Sequence, residues 1–312
     1  MSRTSRSALV IGGAGFLGTG IVRELVAAGW EVTALGRGNK PLLVDGVTFL
    51  RADRAQTGAL AQATEGQTYD VVVDCAAYKA PDAEDAVRAF IGKSGHYVFI
   101  STDFVYNPRI EGPFPIAEDA PKDVNLPYAT GKLACEAVLA RAWAEQHFAA
   151  TTLRPPHIVG AGKELGSGTV QGRDARLLAR LKEADAAGVT LLAEGQLLIQ
   201  PVWNREVGAC IAQLAGNERT FGQAYNCAGP DCVTTRHYYQ LIADRLGVPL
   251  KTTSLEATAY LEKWPEKAPF ARHRIYDMSR FTETTGYRPH FGLEGAIAET
   301  VAWMEQTEPH PN

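Results

Sequence analysis

The sequence predicts an α/β protein built on a doubly wound parallel sheet, with a smaller C-terminal lobe. Three observations predict it. Short apolar runs alternate with helical patterns through the first 155 residues. A glycine-rich turn follows the first of these runs directly. The regular alternation then stops after Pro155-Pro156. Continuous apolar strands separated by helices imply a sheet covered on both faces, because each right-handed crossover lays a helix on one face or the other.

Taken in order, Ala8–Ile11 reads as a buried strand. Gly15–Ala28 has helical spacing, with Phe16, Ile21, Leu25 and Val26 turned inward. Glu31–Leu35 and Val47–Leu50 are strand-like, and Gly58–Ala63 reads as a short helix. Val71, Val72 and Val73 make Asp70–Cys75 a strong strand, since consecutive β-branched residues fit a pleated surface. Pro81–Phe90 opens as a helix, with proline where its missing N–H costs nothing. His96–Ile100 is the next strand. Asn107–Leu126 holds four prolines among acidic residues and reads as a long loop, of the kind that often carries function. A helix over Tyr128–His147 and a strand over Ala150–Arg154 follow. Beyond them, Gly160–Gly172 reads as a mobile loop, with helices near Asp174–Ala186, Arg205–Ala215, Thr235–Leu246 and Leu293–Gln306.

The 312 residues are 46% hydrophobic and 21% charged, enough for a sizeable core. The formal net charge of -4 gives no basic footprint for nucleic acid. No apolar run is long enough to span a bilayer. Ala8–Ile11, after the polar start, is too short for a signal segment. The cytoplasm is the expected location. The five cysteines form no CxxC pair and read as reduced, mostly buried thiols, so no metal site is expected.

Chemistry enters at the glycine-rich turn. Gly12, Gly15 and Gly18 have the spacing GxxGxxG between strand and helix. Gly12 permits the tight turn, Gly15 lets backbone approach a pyrophosphate, and Gly18 lets the helix pack closely on the strand. Phe16 and Leu17 open a helix whose free N–H groups and partial positive charge suit phosphate. This is the signature of a Rossmann-type dinucleotide-binding domain, assigned to residues 1–155. Residues 156–312 then form mainly a substrate lobe, with some segments returning to the sheet. The end of the second strand lacks the acid that grips the ribose of NAD. Arg37 stands there instead, so NADP is the expected cofactor, with NAD as the alternative. Asp53, just after the third strand, is placed either to meet the adenine edge or to cap the backbone before Ala55.

Tyr128 and Lys132 are four residues apart and share a helix face. An ammonium beside a phenol favours the tyrosinate and lowers its pKa, so Tyr128 is expected to exchange a proton with a substrate oxygen as hydride moves at the nicotinamide. Lys132 also suits the nicotinamide ribose. Ser101 or Thr102, at the end of the strand before the proline-rich loop, is placed to donate to the same oxygen.

These motifs, in this order, resemble the extended short-chain dehydrogenase/reductase superfamily, over nearly the whole chain. Ile11 through Gly18 looks like its glycine motif, with Ile11 where threonine is usual. Pro127-Tyr128 through Lys132 looks like its YxxxK helix. Leu153-Arg154-Pro155-Pro156-His157-Ile158-Val159-Gly160 is similar to its RPxxVYG segment, Gln200-Pro201-Val202-Trp203 to its QPVH-type segment, and Asp277 with Gly286-Tyr287-Arg288-Pro289 to its C-terminal ending. The resemblance implies a catalytic triad of Thr102, Tyr128 and Lys132. It places Ala76, Ala77 and Tyr78 near cofactor or substrate, and Asp103, His157, Trp203, Arg272 and Arg274 in the substrate cleft. Ser101-Thr102-Asp103 is similar to the STD segment of sugar dehydratases, which follow it with a glutamate base; Phe104 stands here, which disfavours that activity.

The implied activity is hydride transfer to or from a carbonyl or alcohol carbon, with a sugar nucleotide as one candidate substrate. Two alternatives stand beside it: an epimerase that retains NAD(P), and a non-catalytic dinucleotide-sensing regulator or scaffold. Leu133, Val138 and Leu139 on the YxxxK helix permit a homodimer and serve equally for packing within the chain.

Overall fold

The structure, a computed structural model, describes residues 6–42, 44–109, 112–122, 124–167, 172–183 and 188–307. The first half runs β1 (Ser7–Ile11), α1 (Phe16–Ala27), β2 (Glu31–Gly36), β3 (Thr48–Arg51), α2 (Ala59–Ala63), β4 (Val71–Asp74), α3 (Ala80–Phe90), β5 (Tyr97–Ile100), α4 (Pro127–Gln146) and β6 (Ala150–Arg154). Shorter pieces follow: β7 (Ile158–Val159), α5 (Leu177–Lys182), β8 (Val189–Leu192), β9 (Leu198–Ile199), β10 (Val202–Trp203), α6 (Asn204–Leu214), β11 (Ala224–Asn226), β12 (Val233–Thr234), α7 (Thr235–Leu246), β13 (Thr252–Leu255), α8 (Ala257–Lys263), α9 (Ser279–Thr285) and α10 (Leu293–Thr307).

Seven strands form one parallel sheet in the order β11-β6-β5-β4-β1-β2-β3. One face is sealed by α1 and α6 through Ile21, Val22, Leu25, Val207, Ile211 and Leu214. The other is sealed by α2, α3 and α4 through Leu60, Ala86, Phe90, Cys135 and Leu139. Strand order reverses between β1 and β4, and the crevice beyond the C-terminal ends of those strands is where such sheets bind ligands.

Two segments beyond residue 155 return to this layer: β11 extends the sheet and α6 packs on α1. The rest of the second half has its own apolar core, in which Leu178, Leu191, Tyr238, Ile242, Ile297 and Val301 meet. Part of the loop read over Gly160–Gly172 and the end of the helix read to Ala186 lie outside the described residues. Within α1, Val26 is 36% exposed, and Val22 takes the inward place assigned to it. The inward stripe runs through Gly18, Ile21, Val22 and Leu25, and Val26 falls one residue past it. Val138 and Leu139 are buried in the sheet-side core, and Leu133 packs beside Val105 and Tyr106, so all three serve packing within the chain. No helix among the described residues is long and apolar enough to cross a membrane.

His96 ties β5 to the loop after α6. The Gly216 N–H donates to its Nδ1 at 3.1 Å, which leaves Nε2 to donate to Thr151 Oγ1 at 2.8 Å. Complete burial holds its pKa down at about 3. The unfolded chain therefore takes up a proton below about pH 6.5 that the folded chain refuses. The stabilisation is full above that pH and is lost as pH falls towards the folded value. In urea unfolding, this one residue is expected to remove about 2 kcal/mol between pH 7 and pH 5. A His96→Gln variant should lack that part of the pH dependence.

Candidate active site

The glycine turn has the geometry a dinucleotide needs. Gly12 adopts φ +84°, and an ideal Cβ on Gly18 would stand 2.1 Å from the Gly12 carbonyl oxygen. A side chain at Gly18 would force helix and turn apart. The first bond of this region into the helix is Thr19 N to Gly15 O at 2.8 Å. The N–H groups of Phe16, Leu17 and Gly18 therefore lack intrahelical acceptors and face the crevice end of α1. Asn204 Nδ2 donates to the Phe16 carbonyl, fixing the helix start from below. These residues fit a pyrophosphate held by backbone.

Arg37 follows β2 directly and is exposed. Asp53 accepts from the Ala55 N–H at 3.1 Å within a turn; it does not cap a helix as the sequence reading allowed, because α2 begins only at Ala59, with Gly58 as its N-cap. Ala76 and Ala77 lie in the turn after β4, against the glycine loop: an ideal Cβ on Gly12 would lie 3.7 Å from Ala76 Cβ.

Lys132 is 2% exposed, and its ammonium donates to the carbonyls of Ala77 at 2.8 Å and Ile100 at 2.7 Å. It also stands 4.6 Å from the Tyr78 ring centroid. Helix α4 comes this close to the turn because residue 131 is glycine; an ideal Cβ there would sit 2.2 Å from the Tyr78 oxygen. One helical turn after Lys132, Glu136 accepts from Arg154 Nη2 at 2.6 Å and from Ser101 Oγ at 2.6 Å, which ties α4 to the ends of β5 and β6. Ser101 is thus committed to Glu136, while the Thr102 hydroxyl accepts from the Phe104 N–H at 3.3 Å and lies beside Asp103.

Tyr128 is 46% exposed at the mouth of this site. Desolvation first and Tyr78 second push its phenol pKa up to about 12, against a smaller lowering by the neighbouring Thr102 hydroxyl. This reverses the expected direction. The Lys132 charge is spent on backbone carbonyls, and burial lowers its own pKa against the opposing pull of Asp74.

Three of the residues expected in the substrate cleft have partners within the chain. Asp103 was assigned to substrate, as was Arg274, but the structure pairs them with each other. Arg274 Nε and Nη2 reach Asp103 Oδ2 at 2.9 and 2.6 Å, and Tyr276 OH donates to the same oxygen at 2.5 Å. Asp103 Oδ1 in turn accepts from Thr102 Oγ1 at 3.3 Å, so the pair braces the catalytic loop. Trp203 faces α10, where its Nε1 donates to Glu299 at 3.0 Å, and it lies outside the cluster around Tyr128.

His157 lies beside Tyr238, and burial with the nearby charges of Arg173 and Arg274 holds its pKa well below the usual range, so it is neutral. Arg272 is 8% exposed; Nη1 donates to the Asn107 carbonyl, and Nε has no partner among the described residues. Sequence reasoning passed over Arg173, on the glycine-rich loop. Its guanidinium lies 5.4 Å from the Phe16 ring centroid, and its hydrogen bonds among the described residues go to backbone carbonyls of Glu164 and Ile158. Phe104 sits edge-on to Tyr128 at 6.3 Å and to Phe270 at 5.3 Å, joining the mouth of the site to the second lobe.

A glycine-lined helix start beside a tyrosine, a threonine and a buried lysine defines an NAD(P)-dependent enzyme site. Residues 8–91 and 83–228 match the NAD dependent epimerase/dehydratase family. The chain belongs to that family, and with it to the extended short-chain dehydrogenase/reductase superfamily. It is 28% identical over 303 residues to 2'-dehydrokanamycin reductase of Streptomyces kanamyceticus, covering 95% of this chain and 84% of the relative. It is 26% identical over 220 residues to GDP-6-deoxy-D-mannose reductase of Pseudomonas aeruginosa, covering 69% and 67%. Its fold is similar to UDP-glucose 4-epimerase of Thermotoga maritima, with TM-score 0.78 and 17% identity over 96% of this chain and 99% of that one. The fold is also similar to RMD from Pseudomonas aeruginosa complexed with NADPH, with TM-score 0.74 and 20% identity over 97% and 100%.

The contact between α4 and the Ala77-Tyr78 turn gives a test. Gly131→Ala should lower stability by about 1–3 kcal/mol in urea unfolding, as overpacking against backbone does.

Proposed function

We propose that the chain is an NADPH-dependent reductase of a keto sugar, and that Tyr128 supplies the proton. The observation that carries this reading is the placement of the phenol: it stands half-exposed at the mouth of the site, on the same helix face as the buried Lys132 and beside Tyr78 and Phe104. Desolvation pushes its pKa up, so Tyr128 keeps its proton at neutral pH, which suits a proton donor to a carbonyl receiving hydride. The nicotinamide, when bound, supplies that hydride. Thr102 and Tyr128 hold the carbonyl oxygen from two sides, and their donors meet the charge that develops on it. Lys132 holds the ribose next to the reacting ring. Gly12, Gly15 and Gly18, with the first turn of α1, receive the pyrophosphate.

Arg37 selects the 2′-phosphate of NADP, and Asp53 lies on the adenosine side. Arg272 and Arg173 are guanidinium groups whose hydrogen bonds among the described residues go to carbonyls, and His157 stands near the charges of Arg173 and Arg274. They favour a sugar that carries an anionic group, as a sugar nucleotide does. The relatives named above support reduction, since two of them are reductases by name. A UDP-glucose 4-epimerase of Lactobacillus helveticus, 26% identical over 200 residues, favours the second reading, an epimerase that keeps its cofactor. Stoichiometric NAD(P) retained through purification, read by mass spectrometry, would select that reading. The five free cysteines suit a reducing compartment, the cytoplasm.

On any keto sugar that the protein reduces with NADPH, Tyr128→Phe should lower kcat by about 10²–10⁴-fold, the usual contribution of a general acid. NADPH binding, read by fluorescence titration, should stay within twofold; an active variant removes Tyr128 from the mechanism. Arg37→Asp should shift the ratio of NADPH to NADH affinity towards NADH by about tenfold or more, about 1.4 kcal/mol. An unchanged ratio makes Arg37 a solvated surface charge.

A further inference from the structure

The turn that receives Lys132 is itself held by three charged residues that the reading above does not use. Asp74, at the end of β4, is fully buried, and its Oδ1 accepts from the Ala76 N–H at 2.7 Å. Asp82, in the first turn of α3, accepts from the N–H groups of Tyr78 at 2.8 Å and Lys79 at 3.2 Å. One carboxylate thus caps the start of the Ala76–Lys79 turn and the other caps its end. Arg54 joins them. Its Nη2 reaches Asp74 Oδ2 at 2.8 Å and the Asp82 carbonyl at 3.1 Å, and its Nη1 stands 3.6 Å from Asp82 Oδ2. Tyr97 completes the shell with its hydroxyl on Asp74 Oδ2 at 2.6 Å.

Three parts of the site rest on this turn. The Ala77 carbonyl takes the Lys132 ammonium. The Tyr78 ring lies 6.2 Å from that of Tyr128. The Cys75 and Ala76 side chains border Gly12 of the cofactor loop. The Arg54 side chain is only 9% exposed, and its Nε and Nη1 have no hydrogen-bond partner among the described residues. Both of its hydrogen bonds are made by Nη2, one to the Asp74 carboxylate and one to the Asp82 carbonyl, and the Asp82 carboxylate adds its charge at 3.6 Å.

We propose that Arg54 is a positioning residue: by tying Asp74 to Asp82 it fixes the Ala76–Lys79 turn, and through the Ala77 carbonyl it sets where Lys132 presents its ammonium. The proposal rests on the reading of Lys132 as the holder of the nicotinamide ribose. Its test separates the two halves of the cofactor. NADPH and adenosine 2′,5′-bisphosphate share the adenosine end, and only NADPH reaches Lys132.

Arg54→Met should weaken NADPH binding about tenfold, about 1.4 kcal/mol, while adenosine 2′,5′-bisphosphate binds as in the parent. Equal weakening of both would place Arg54 on the adenosine side and overturn the proposal, as would no change in either. Because a lone Asp74 charge left buried can unfold the chain, Arg54→Met/Asp74→Asn is measured beside it, with the same pattern expected. Amide hydrogen exchange reads the turn without any ligand. Faster exchange at Ala76, Tyr78 and Lys79 in either variant supports the tie, and unchanged exchange overturns it. Lys132→Met provides the control. If it leaves NADPH affinity intact, the ribose-holding role of Lys132 falls, and the exchange data alone decide whether Arg54 holds the turn.

Discussion

The buried ammonium of Lys132 is the constraint around which the rest of the site is arranged. A desolvated cation needs acceptors, and here they are two backbone carbonyls, Ala77 just after β4 and Ile100 at the end of β5. For both to point at one nitrogen, the ends of two neighbouring strands must be level, and α4 must lie directly over them. The parallel register of β4 with β5 provides the first condition, and the absent side chain of Gly131 provides the second. Glu136 then anchors the same helix one turn on, through Arg154 from β6 and Ser101 from β5. The helix that bears Tyr128 and Lys132 is therefore located by three successive strand ends, which is a stiffer reference than any loop.

What was legible in the sequence was local. Val71-Val72-Val73 announces β4, and the spacing of Gly12, Gly15 and Gly18 announces the turn before α1. Tyr128 and Lys132 announce a shared helix face, because each of these signals lies within one element. The short strands of the second half, such as β9 and β10 with two residues each, are too brief to show any periodicity. Ion pairs between distant residues were equally silent. Asp103 meets Arg274 across 171 positions and Arg54 meets Asp74 across 20, and no pattern in either neighbourhood names its partner. A carboxylate ending a run of three buried valines was the one available hint for Asp74.

The error over the Tyr128 phenol is instructive for the same reason. Helical spacing correctly puts Lys132 one turn away, but spacing does not say where a long flexible ammonium will spend its charge. The strand ends decide that, and they claim it for carbonyl oxygens. Trp203 shows the parallel case: its segment is similar to one that lines a substrate cleft, while its indole N–H is claimed by Glu299, 96 residues later. Sequence resemblance located the backbone in both cases, and the competing partner fixed the side chain.

The same competition bears on which chemistry the site favours. Asp103 is the acid of the Ser101-Thr102-Asp103 segment, which is similar to the STD segment of sugar dehydratases. Its Oδ2 accepts three hydrogen bonds, two from Arg274 and one from Tyr276, and its Oδ1 accepts from Thr102. Those bonds engage both carboxylate oxygens within the chain, and Phe104 beside Asp103 brings a hydrocarbon face where the dehydratase segment carries its glutamate base. What remains exposed at the mouth of the site is Tyr128, half open, with the rings of Tyr78 and Phe104 beside it. On the proposed reading, that phenol meets a carbonyl oxygen gaining a proton as hydride crosses. The Asp103–Arg274 pair contributes to the same end by holding the Thr102 loop in place, because it engages the one acid of the segment with a partner from the second lobe.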